Sequence, residues 1–207
     1  MIIQHQRQVK AFEMAHHTKN GVIPVFCSTE LIFVLKNVKQ APTHGGIMRL
    51  HNLPVSDLVH IAKHGMTEEV ATFAVREFIK RPEGTILMCY HIIHSARYMP
   101  VKIIAEAALL NRKDATHRDI VWIALHAHQR TLQLEALWKL SSIENVSALH
   151  WSALARDAED KTISLRAQEH LVMHEKANAD DLLFLDENGL TDDIRKKAQE
   201  RLRDIFE

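Results

Sequence analysis

A shift of 31 residues maps much of this chain onto itself. Val70, Ala74 and Phe78 become Val101, Ala105 and Leu109. They recur as Leu132, Ala136 and Leu140, then Ile163, Ala167 and Leu171, then Ile194, Ala198 and Leu202. The offset does not change across the five copies. Positions i, i+4 and i+8 share one face of an α-helix. The constant central Ala lets a neighbouring helix come close, and the large residues flanking it fill the surrounding space. A repeating unit of this size cannot bury its apolar face alone, so stacking of copies must make the core.

The same shift finds a second, preceding helix. Its rows are Leu58, Cys89, Ile120, Trp151 and Leu182, then Ile61, Ile92, Ile123, Leu154 and Leu185. A third row is Ala62, Ile93, Ala124 and Ala155, broken by Asp186. A capping row of Thr85, Thr116, Ser147 and Asn178 stands just upstream, with residue types that accept hydrogen bonds from first-turn amides. Thr116 with Asp119, and Asn178 with Asp181, have capping-box spacing. Pro54 holds that place in the first copy, where Ser56 is the better cap. Gly65 before Thr67-Glu68-Glu69, and Gly189 before Thr191-Asp192-Asp193, read as glycine stops followed by new N-caps. Each unit is expected to be helix, tight turn, helix, loop, with a first helix of about 10 residues and a second of about 12–14. The units are 54–84, 85–115, 116–146, 147–177 and 178–207. The last has a charged outer face on its second helix, as a terminal cap should.

Composition supports a folded chain outside the membrane. The 207 residues include 46% apolar side chains, and 26 Lys+Arg balance 26 Asp+Glu. Collagen-like and acidic disordered classes are excluded, and the balance opposes a dedicated duplex-DNA binder. No window is long and apolar enough for a membrane span, and Met1–Gln8 lacks the apolar centre of a signal peptide. A cytoplasmic protein with no membrane partner is expected, its thiols Cys27 and Cys89 buried and unbridged.

The periodic pattern resembles the HEAT-like family of α-helical repeats, in its short variety with units of about thirty residues. Val70/Ala74/Phe78 and their four translated sets carry the resemblance, which covers 54–207. It implies an all-α fold: a right-handed α-solenoid of stacked antiparallel helix pairs. Such proteins often act as scaffolds for protein partners, while some resemble pigment-attachment lyases, metal hydroxylases or DNA glycosylases. The family's Asp or Pro followed by Val-Arg is approached only by Asp193-Ile194-Arg195.

Residues 1–53 follow the period poorly and carry 6 Lys+Arg against 2 Asp+Glu. Gln4–His16 is expected to be helical, and Ser28–Val38 reads better as helix than as strand. The segment is expected to be a helical cap on the apolar end of the solenoid, with a separate partner-binding arm as the alternative.

Candidate chemistry is sparse. His60 and His64 stand one turn apart, as do His91 and His94, and adjacent units could bring all four together around a borderline metal. The plainer account is histidines hydrogen-bonded or at the solvent edge, so no metal or other cofactor is assigned. Arg76, Lys80, Arg81, Arg112, Lys113 and Arg130 could form a phosphate track beside Trp122, Trp138 and Trp151, with Asp119 and Asp157 as acids. The repeat does not sustain such a track, since Arg76 maps to Ala107, Trp138, Glu169 and Glu200. No catalytic residue is assigned and catalysis is not expected.

The remaining signal is surface. Thr72, Ile103, Leu134, Leu165 and Lys196 form the outward row of the second helices, beside Arg76, Ala107, Trp138, Glu169 and Glu200. Ile103, Ala107, Leu134 and Trp138 give an apolar centre, with Arg76, Lys139 and Glu169 around it. The expectation is a protein-binding adaptor, chaperone or regulatory scaffold whose partner is another protein. Pairing of two copies through the same patch is compatible with it. The alternatives are a DNA-processing enzyme resembling HEAT-like glycosylases and a metal-dependent enzyme using the clustered histidines.

Overall fold

A computed structural model describes residues 50–207 of the chain. Among them there are ten helices and no strands. In chain order they are α1 (Val55–His64), α2 (Glu68–Ile79), α3 (Ile86–Ser95), α4 (Met99–Asn111), α5 (His117–His126), α6 (Arg130–Ser141), α7 (Ala148–Asp157), α8 (Lys161–Met173), α9 (Ala179–Asn188) and α10 (Asp192–Phe206). Consecutive helices pack as antiparallel pairs, α1 on α2 through α9 on α10, and the pairs stack in sequence order. No described helix is long and apolar enough to cross a membrane. The expected N-terminal cap and Cys27 lie outside the described residues, except for the stretch 50–53, where Leu50 and Leu53 join the core.

The translated rows are the core. Ala74, Ala105, Ala136, Ala167 and Ala198 are each 0% exposed. The flanking rows, Val70 through Ile194 and Phe78 through Leu202, are buried, as are both first-helix rows that start at Leu58 and Ile61. Full burial of a large aliphatic side chain contributes about 1.5–3 kcal/mol, so these rows dominate the stability of the stack. Asp186 breaks its row because it lies half-exposed in the last pair, where it accepts a bond from Gln199 Nε2 at 2.6 Å.

The caps follow the residue types, with two exceptions. Thr85 accepts from the Met88 amide, and Thr116 and Asn178 form capping boxes with Asp119 and Asp181. Ser147 makes no cap bond; its hydroxyl sits 2.7 Å from His150 Nδ1 instead. In the first copy the N-cap is Pro54 and not Ser56, which lies inside α1.

Gly65 and Gly189 end α1 and α9 as their C-caps, ahead of the N-caps Thr67 and Thr191. Gly65 has φ −51° and Gly189 φ −57°, so neither occupies the left-handed region. Ala96, Ala127 and Ala158 fill the same row with φ of −65°, −59° and −71°. The row selects small size, because a Cβ at Gly65 would stand 2.8 Å from the Ile61 carbonyl oxygen. The closing amide-to-carbonyl bond is 2.7 Å at Gly65 and 2.8–3.2 Å where Ala stands, so a slightly looser turn admits the methyl.

A second, longer period overlies the first. Three polar links recur at 62 residues, twice the apolar repeat. Tyr90 donates to Asp119 at 2.9 Å, and Ser152 donates to Asp181 at 2.6 Å. Glu106 accepts from the His128 amide at 3.1 Å, and Gln168 Oε1 accepts from the Leu190 amide at 2.9 Å. Lys139 donates to the Leu110 carbonyl, and Arg201 to that of Val172. All three tie the α3/α4 pair to α5/α6 and the α7/α8 pair to α9/α10. At the intervening boundary the equivalent of Lys139 is His170, which stacks on Trp151 with centroids 4.1 Å apart and leaves its buried Nε2 without a partner among the described residues.

Candidate functional site

The second-helix row can be judged residue by residue. Arg76, Trp138 and Glu169 are exposed, whereas Ile103, Ala107 and Leu134 are half-buried. The latter three pack against the core from α4 and α6, so the apolar centre is shallower than its composition suggests. Trp138 stands 59% exposed. The Arg166 guanidinium on α8 lies 5.9 Å from its ring centroid and bonds Glu169 at 2.8 Å. A cation over an indole is favourable, so α8 orients the charge beside Trp138. Lys139 does not share this role, because its ammonium is engaged with the Leu110 carbonyl.

Arg166 was not among the expected site residues. A signal exists: it precedes Glu169, the repeat-equivalent of Trp138, by one helical turn.

The histidine candidates do not assemble. His60 and His64 rings lie 4.9 Å apart. His94 instead stacks along Tyr90 and meets Trp122 edge-on at 5.6 Å, while His91 is exposed on the same helix. Among the described residues no group of three or more His, Cys, Asp or Glu is placed to hold a metal ion.

Three of the six basic candidates pair with carboxylates, and a fourth, Arg81, is held by a backbone carbonyl and keeps its charge. Lys80 bonds Glu77 at 2.5 Å, Arg112 bonds Asp114 at 2.8 Å, Arg81 bonds the His51 carbonyl, and Arg130 bonds Asp160. Of the three tryptophans, Trp151 is core and Trp122 is half-buried against Tyr90 and His94. Asp119 cannot serve as an open acid: burial pushes its carboxyl up, but bonds from Thr116 and Tyr90 outweigh that and hold it below the ordinary range. Cys89 is buried, and desolvation raises its thiol to about 11, which removes it as a nucleophile near neutral pH.

The fold thus defines an all-α protein of stacked helix pairs with a solenoid architecture. Comparison with family models, curated proteins and solved structures finds no match.

Proposed function

We propose that this chain is a HEAT-like, non-catalytic scaffold that receives a helix or extended peptide of a protein partner along its second-helix face. Trp138 is the anchor, Ile103, Ala107 and Leu134 floor the contact, and Arg76, Arg166 and Glu169 set the partner's register. The exposure of Trp138 beside Arg166 carries this reading, because Trp and Arg are the side chains that most often dominate interface energy. Engagement of Arg81, Arg112 and Arg130 within the chain favours it over a nucleic-acid enzyme.

The test is crosslinking capture with the full chain, comparing wild type with Trp138→Ala and Trp138→Phe at equal melting temperature. A partner held by wild type, lost with Ala and regained with Phe supports the site. Equal recovery by all three removes it. If the captured species is a second copy of the chain, light scattering reports a dimer that Trp138→Ala abolishes.

A further inference from the structure

A pocket of 380 Å³ opens where the α3/α4 pair meets α5/α6, lined by Ile93, His94, Lys102, Trp122, His126 and His128. Three imidazoles and one ammonium face it, and no carboxylate is among the lining side chains. That is a local excess of nitrogen donors on a chain whose charges balance overall. Lys102 makes no ion pair among the described residues, unlike Lys80, Arg112, Arg130, Arg156 and Arg166 on the same stack.

The walls are fixed from behind. His128 Nδ1 lies 2.5 Å from Oε1 of Glu106, a carboxylate with no exposed surface, and the His128 amide donates to the other oxygen. Both Glu106 oxygens are therefore committed away from the opening, and the ring's remaining nitrogen is left for other contacts. Tyr90, tied to Asp119, meets Trp122 edge-on at 5.1 Å, and His126 lies 5.4 Å from the same indole. A buried polar shell that holds the lining groups in place is what a preformed site needs.

We propose that this pocket binds a small phosphomonoester carried on a flat ring. Donors from α3, α4, α5 and the following turn converge from several directions, which suits a headgroup with three acceptor oxygens and up to two negative charges better than a two-oxygen carboxylate. The half-buried indole of Trp122 supplies the apolar surface for the ring. The site is built on α3, α5, the turn after α5 and the first turn of α4 at Lys102; Trp138 on α6 does not line it, and the site does not depend on the scaffold reading.

The test is calorimetric titration of the full chain with phenyl phosphate, inorganic phosphate and phenol. Phenyl phosphate is expected to bind saturably and more tightly than inorganic phosphate, with no binding of phenol. Lys102→Met and His126→Gln, each altering a side chain outside the core, are each expected to weaken phenyl phosphate by about tenfold or more, the loss typical of a charge-assisted hydrogen bond. Trp138→Ala leaves the affinity unchanged. Absence of saturable binding overturns the proposal. So does wild-type affinity in both pocket variants, or inorganic phosphate binding as tightly as phenyl phosphate.

Discussion

Glu106 on α4 and His128 in the turn after α5 lock two helix pairs together: a wholly buried carboxylate accepts both the ring nitrogen, at 2.5 Å, and the backbone amide, at 3.1 Å, of one histidine. One apolar replacement would leave the part-buried His128 amide and ring nitrogen without their acceptor. Glu106→Leu is expected to cost about 2–3 kcal/mol, the penalty for leaving a donor unpaired. Glu106→Gln keeps an acceptor for the amide, as Gln168 does for Leu190, and is expected to cost about 1 kcal/mol. Urea unfolding of the two variants gives the comparison, and equal losses would show that the amide bond is not what Glu106 supplies.

Acid should weaken the stack through Asp160, the N-cap of α8. The bond from Arg130 pulls its carboxyl down against burial, with the Thr162 amide assisting, and leaves it at about 2. A folded value below the unfolded one means that stability is present above the ordinary Asp value of about 3.9 and lost as pH falls from there towards the folded value. Wild type should therefore melt higher than Asp160→Asn by a constant margin above about pH 5, and the two curves should close between about pH 4 and 2. A margin that persists at the acid end would place the effect in cap geometry rather than in charge.

Much of this architecture was legible because apolar burial and helix geometry share one period. The central Ala row, the first-helix rows and three of the four side-chain caps stand where the 31-residue shift puts them. The failures came from effects that residue type does not encode. Ser147 turns to the His150 side chain and not to a first-turn amide. The doubled period was present as Asp57, Asp119 and Asp181, all buried, yet its meaning depends on which neighbours sit opposite. At the candidate surface the exposure of Trp138 followed from its row. The occupation of Lys139 by a carbonyl of the preceding pair, and the approach of Arg166, depend on side-chain reach across helices.

Two tryptophans provide a contrast within one fold. Trp151 is 4% exposed and stacked on His170 with rings 10° from parallel. Trp151→Ala should cost about 3–5 kcal/mol, as large aromatic truncations in cores do. Trp138→Ala, at an exposed site, should change stability by no more than about 0.5 kcal/mol. Thermal melts of both settle the order. A large loss at Trp138 would mean that its contact with Arg166 supports the stack itself, and the anchor role would have to be abandoned.

The alternation of polar links has a dynamic consequence. Helix pairs α3/α4 with α5/α6, and α7/α8 with α9/α10, are each joined by a carboxylate bond, a buried side-chain acceptor for a turn amide, and a cation on a carbonyl. Between α6 and α7 those three positions hold His150, Leu137 and His170, the buried Ser141 hydroxyl and His170 Nε2 have no partner among the described residues, and the junction is spanned instead by the exposed Arg130–Asp160 pair. In a linear stack, stability is a sum of unit and neighbour terms, so the junction that lacks these three links is expected to open first. Native-state amide exchange should therefore show α7 through α10 opening as one cooperative group at a lower free energy than α3 through α6. Gln168→Ala should split that group by freeing α9 and α10, because it removes the acceptor that holds the Leu190 turn. Uniform protection from α3 to α10, unchanged in Gln168→Ala, would show that the apolar rows alone set the cooperativity.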